Sequence, residues 1–80
     1  MMKHQKIYNR LRRIEGQIRG IEEMVAKDRQ ESDIIIQLEA AKASLSSAIE
    51  SLIKEMIESR GDDVVFTKEQ ADLILKYIKK

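Results

Sequence analysis

Along residues 7–25 an apolar side chain recurs at alternating intervals of four and three: Ile7, Leu11, Ile14, Ile18, Ile21 and Val25. That heptad seam is the pattern of a helix packed lengthwise on another helix. Lys27-Asp28-Arg29-Gln30 interrupts it. Asp28 and Glu31 have the spacing of a capping box for the next helix, with Ser32 as the competing N-cap. A second helix is expected from about residue 30 to Arg60, about 45 Å long at the α-helical rise. Leu38, Ala41, Leu45, Ala48 and Leu52 make one stripe on it, and Ile49, Ile53 and Ile57 widen that stripe. An arc so broad needs more than one neighbour to cover it. Gly61 suits a C′ residue, with Asp62-Asp63 closing the turn. Val64-Val65-Phe66 reads as a short apolar plug. Thr67-Lys68-Glu69-Gln70 is a capping box opening a third helix, which buries Ala71, Ile74, Leu75 and Ile78.

The expected fold is all-α, with helices at about 3–27, 30–60 and 67–79 in one domain spanning 1–80. A chain of 80 residues rarely divides into two independently packed cores. Proline is absent and only three glycines occur, which argues against an all-β design. The middle helix is too long to be covered by its two shorter neighbours. An antiparallel four-helix bundle built from two chains is therefore expected. Gly16 and Gly20 lie inside the first helix, each costing about 1 kcal/mol relative to alanine. Their spacing reads as close packing of soluble helices.

Composition removes whole classes of chemistry. Cysteine is absent, so disulfides, thiolate nucleophiles and every Cys-based metal site go together. A single histidine, His4, removes the common zinc triads. Aromatics make up 4% of residues, too few for a stacking platform on single-stranded nucleic acid. No nucleophile–base pair can be assembled, so an enzyme is not expected. No apolar run reaches the length of a membrane span, and the start has no apolar leader core. A cytoplasmic protein with no membrane partner is the expectation.

The formal net charge of +1 hides an asymmetry. Residues 1–20 carry Lys3, Lys6, Arg10, Arg12, Arg13 and Arg19 against Glu15 alone. At 100° per residue, Lys3, Lys6, Arg10, Arg13 and Gln17 fall within one arc beside the apolar seam. Cations in a row at helical spacing suit phosphate contacts along a duplex, because the Arg fork matches phosphate oxygens. The competing reading is a solvated helix face. No helix-turn-helix, β-ribbon or zinc finger is present, so DNA would be met by a surface of helices.

Arg10-Leu-Arg-Arg-Ile-Glu-Gly-Gln-Ile-Arg-Gly-Ile21, Met24-Val25, Asp33-Ile-Ile-Ile-Gln-Leu38 and Ala40-Ala41-Lys42 together resemble the CsoR/RcnR family of metal-sensitive transcriptional repressors. The resemblance spans nearly the whole chain, including the closing Leu73-Ile-Leu-Lys-Tyr-Ile-Lys79. It implies a three-helix subunit that forms an antiparallel bundle dimer and often pairs again into a flat tetramer. It implies repression of an efflux or detoxification operon by binding operator double-stranded DNA, released when an effector binds. The DNA-contacting arginine of the family falls on Arg10 and a basic residue of its second helix on Lys42. Lys6, Arg13 and Gln17 stand beside Arg10 on the independently chosen stripe.

The chain departs from that pattern where family members bind Cu(I), Ni(II), Co(II) or Zn(II). The early second-helix cysteine is replaced by Glu31, and the late His/Cys pair falls on Met56 and Arg60. A carboxylate, a thioether and a guanidinium do not make such a site, so no metal cofactor is expected. By the resemblance, Glu31 of one chain faces Met56 and Arg60 of the other, where a Glu31–Arg60 pair could fasten the interface. His4 could join an N-terminal metal site, though a lone histidine near a terminus is more often solvated. The expectation is a DNA-binding repressor whose effector is not sensed through the usual site. The alternative is a degenerate member acting as a hetero-oligomer subunit or helical scaffold.

Overall fold

The computed structural model describes residues 2–59 and 65–78, the side chain of Ile78 excepted. The chain is all-α: α1 spans Gln5–Ala26, α2 Glu31–Glu58 and α3 Lys68–Ile78. The expected Gly61 cap, the Asp62-Asp63 turn, Val64, Arg60 and the burial of Ile78 lie outside the described residues. No helix among the described residues is long and apolar enough to cross a membrane.

Two compact units are present, Met1–Ala48 and Ile49–Lys80, with the boundary inside α2. The first is an αα-hairpin: α1, a four-residue connection, and α2 as far as Ala48. Here α1 buries Ile7, Ile14 and Ile21, while α2 buries Ala41 and Ala48. Large side chains on one helix against alanines on the other let the two backbones approach closely. The seam read from the sequence is thereby split. Its Ile7–Ile14–Ile21 line faces inward, whereas Leu11, Ile18 and Val25 stay exposed. On α2 the expected stripe divides in the same way, with Leu38, Leu45 and Leu52 exposed beside buried alanines. One helix covers only a narrow arc of another, so the flanking line needs a further neighbour.

Asp28 corrects the expected start of α2. It sits in the left-handed region at φ 52°, the only non-glycine residue described with positive φ. Its N–H donates to the Val25 carbonyl at 3.1 Å, and the Arg29 N–H donates to the Met24 carbonyl at 3.0 Å. That bond pair is a Schellman motif, with Asp28 at the position glycine usually holds. The aspartate therefore ends α1 and is not the N-cap of α2. Ser32 lies inside α2, whose first turn closes on the Gln30 carbonyl, accepting from the Ile34 N–H at 3.2 Å.

In the second unit, α3 starts as its sequence predicts. The Gln70 N–H donates to Thr67 Oγ1 at 3.1 Å, and the Thr67 N–H donates to Gln70 Oε1 at 3.0 Å. This reciprocal pair is a capping box. Ala71 and Ile74 are half-buried, but Leu75 is exposed and Tyr77 takes the inner position instead. The apolar plug is also corrected: Phe66 is half-buried, while Val65 is 76% exposed.

Gly16 and Gly20 have open space where a Cβ would stand, with nothing within 4 Å. The close packing expected of them is not made among the described residues. Alanine at either position should therefore raise stability by about 1 kcal/mol in urea unfolding. Asp28→Gly should stabilise by up to about 1 kcal/mol and Asp28→Val destabilise by about 1–2 kcal/mol, because a β-branched residue is strained at positive φ. Were Asp28 an N-cap after all, Asp28→Gly would be a loss.

Candidate nucleic-acid interface and sensor positions

Three lines run along α1. The buried Ile7–Ile14–Ile21 line is central. Arg10 and Gln17 fall about 40–60° to one side of it, with Lys6 and Arg13 farther round, by helical spacing. Leu11 and Ile18 fall about 40–60° to the other side. Arg10 and Gln17 are half-buried, which their place three residues beyond Ile7 and Ile14 explains: their stems lie along the edge of the seam. Lys6 and Arg13 are exposed, as is Lys3, which precedes the helix. The structure thus brings Lys6, Arg10, Arg13 and Gln17 to one flank.

Their charge is not spent internally. Arg12 pairs with Glu15 at 3.4 Å, Lys27 with Glu23 at 3.5 Å and Arg29 with Asp33 at 3.6 Å. Each of these is an exposed pair within three or four residues, legible from spacing alone. Lys6, Arg10, Arg13 and Lys42 join no ion pair among the described residues. Unpaired guanidinium and ammonium groups on one flank can take phosphate oxygens without first breaking an internal contact.

Lys42 does not join that flank. It stands about 110° from the buried Ala41–Ala48 line, toward Leu38 and Leu45. In an antiparallel hairpin that direction lies on the same side as Leu11 and Ile18. Lys42 is therefore on the side opposite the Arg10 flank. The apolar side itself holds Leu11 (43% exposed), Ile18, Leu38 and Leu45 (44% exposed). An open furrow there, bounded by Leu11, Ile14 and Ile18, is rimmed by Glu15, Arg19 and Glu22. Apolar centre and charged rim are the anatomy of a contact surface.

By the family resemblance, three positions correspond to sensor ligands. Glu31 is the first residue of α2 and is exposed. Met56 is half-buried, lining an apolar hollow of 210 Å³ with Ile49, Leu52, Ile53 and Leu73. Arg60, and with it the Glu31–Arg60 pair, lies outside the described residues. His4 immediately precedes α1, its carbonyl accepting from the Tyr8 N–H at 3.0 Å. Among the described residues no three His, Cys, Asp or Glu side chains gather as a metal would require. The donors at 31, 56 and 60 do not fit a soft or borderline metal: an exposed carboxylate, one thioether, and a guanidinium with no lone pair to give. The Met56 hollow was missed from sequence, although the Ile49–Ile53 stripe was its visible edge.

The model of a family described as metal-sensitive transcriptional repressor matches residues 3–80. The copper-sensing transcriptional repressor CsoR of Bacillus subtilis (strain 168) is 35% identical over 81 residues, covering 92% of this chain and 80% of that protein. The copper-sensing transcriptional repressor RicR of Mycobacterium tuberculosis (strain ATCC 25618 / H37Rv) is 41% identical over 46 residues, covering 58% of this chain and 48% of RicR. No solved structure matches the chain at a significant level.

Proposed function

The chain belongs to the family of metal-sensitive transcriptional repressors, and from that premise we propose that it represses an efflux or detoxification operon by binding operator double-stranded DNA. The family's work is repression of transcription, not catalysis. The observation that carries the DNA assignment is the unpaired cationic flank of α1. Lys6, Arg10 and Arg13 meet phosphates there, and Gln17 adds a neutral donor at its edge. A helix laid along the backbone makes many such contacts and needs no reading head in the groove. Lys42 faces the other way, so its contact with the same duplex has to come from a second chain.

Self-association is the other half of the proposal. Leu11, Ile18, Leu38 and Leu45 present an apolar side that a single chain leaves in water. Covering it with a second copy gives the four-helix bundle, and leaves the cationic flanks outward. The repressor works in the cytoplasm as such a homo-oligomer. Its effector is not sensed through Glu31, Met56 and Arg60, which lack the required donors. The same missing donors favour one second reading: a helical partner that pairs with another member of the family and has no sensing of its own.

A gel shift with DNA from the chain's own promoter separates the two. The repressor shifts one specific site and weakens steeply with salt as counterions are released. The partner reading gives no sequence preference. Arg10→Ala and Arg13→Ala should each weaken binding to all sequences and lower the salt slope by about one. Wild-type binding by both variants, with helicity intact, would show the flank to be merely solvated.

Leu45→Asp tests the assembly. In an isolated chain the carboxylate would reach water, at little cost. In a bundle it is buried unpaired, costing several kcal/mol. Sedimentation should show the wild type well above 9.3 kDa and the variant shifted toward the single chain. A folded wild type sedimenting at 9.3 kDa would refute the bundle.

A further inference from the structure

We propose that this chain is a metal-indifferent repressor, whose Met56 position serves packing and whose hold on DNA neither Cu(I) nor Ni(II), Co(II) or Zn(II) releases. The inference rests on the reading of the chain as an operator-binding repressor. Its first support is the donor inventory. Thiolate and imidazole are the ligands that hold these metals in competition with water and buffer. The whole sequence has no cysteine and one histidine. Self-association duplicates that set without adding any new kind of donor. Four methionines remain, but a neutral thioether is a weak donor, and Met24 and Met56 stand on different helices. Carboxylates suit harder cations, and no three of them gather with one another or with histidine among the described residues.

The second support is what Met56 does. Its side chain is half-buried and lines the 210 Å³ hollow, beside Ile49, Leu52 and Ile53 on its own helix and Leu73 on α3. An unbranched, polarisable side chain adapts to such an irregular gap. Late α2 and the middle of α3 thus line one apolar hollow, an arrangement that requires no ligand. An effector shifts a conformational equilibrium only by binding the two states differently. A metal with no site in either state shifts nothing.

The test uses the full chain bound to a fragment of its own promoter, titrated anaerobically with Cu(I) and, separately, with Ni(II), Co(II) and Zn(II). Metal content after gel filtration and the unfolding midpoint are read alongside DNA affinity. The expected result is no co-eluting metal, an unmoved midpoint, and an affinity changed less than about twofold, where an allosteric effector moves it roughly 5- to 150-fold. An equivalent of any of these metals per chain, or affinity weakened about tenfold or more, overturns the proposal. A chain that never binds its promoter fails as a repressor instead, while metal content and midpoint still decide whether it takes a metal. Met56→Leu should keep the wild-type midpoint and DNA affinity, and Met56→Ala should lower the midpoint. Loss of DNA affinity in a well-folded Met56→Leu chain would show that the thioether itself, and not its packing, is needed.

Discussion

The contact between the Ile7–Ile14–Ile21 line of α1 and the alanine face of α2 organises the first unit of the chain. Alanines at 41 and 48 let the helices come close, and closeness narrows the arc that each can bury. Every longer apolar side chain beside that arc is pushed to a flank. Leu11 and Ile18 go to one side of α1, Arg10 and Gln17 to the other. One packing decision therefore sorts the surface into an apolar side and a cationic side. Under the proposed function, self-association would use the first side and the α1 contacts with DNA the second.

The charge pattern follows the same sorting. Away from the seam, cations find carboxylates three or four residues off on their own helix, as Arg12 does with Glu15. Such exposed pairs contribute little to stability, about 0–1 kcal/mol each, yet they neutralise locally. Along the Arg10 flank no carboxylate stands at those spacings on the inner side. A positive field therefore persists along that flank, although the net charge of the chain is only +1.

Membership of a metal-sensitive family is compatible with a chain of no cysteine and one histidine once scaffold and sensor are seen as separable. The helices, the seam and the basic flank require apolar periodicity and cations, which this sequence retains. By the family resemblance, sensing requires a few donors at the ends of α2, and Glu31, Met56 and Arg60 stand at those positions. Met56 illustrates this at one residue, where a half-buried thioether lines an apolar hollow shared with Leu73 of α3. Function lives in sites grafted on a fold, and a site can be lost while the fold persists.

Much was legible in the sequence because it depends on neighbours close along the chain. The three helices follow from apolar periodicity, the α3 start from Thr67 and Gln70, and the stripe of Lys6, Arg10, Arg13 and Gln17 from spacing on one helix. The lack of cysteine and the single histidine are read from residue identity alone. Other features were decided by tertiary structure, because periodicity fixes which residues share a face but not which face meets a neighbour. The six-residue seam could not announce that Ile14 turns inward and Leu11 outward. Asp28 read as the start of the second helix, and the turn between α1 and α2 made it the left-handed end of the first. Lys42 looked like a companion of Arg10 until the hairpin set it on the opposite side. A direction in space belongs to the packed pair of helices, and neither helix carries it alone.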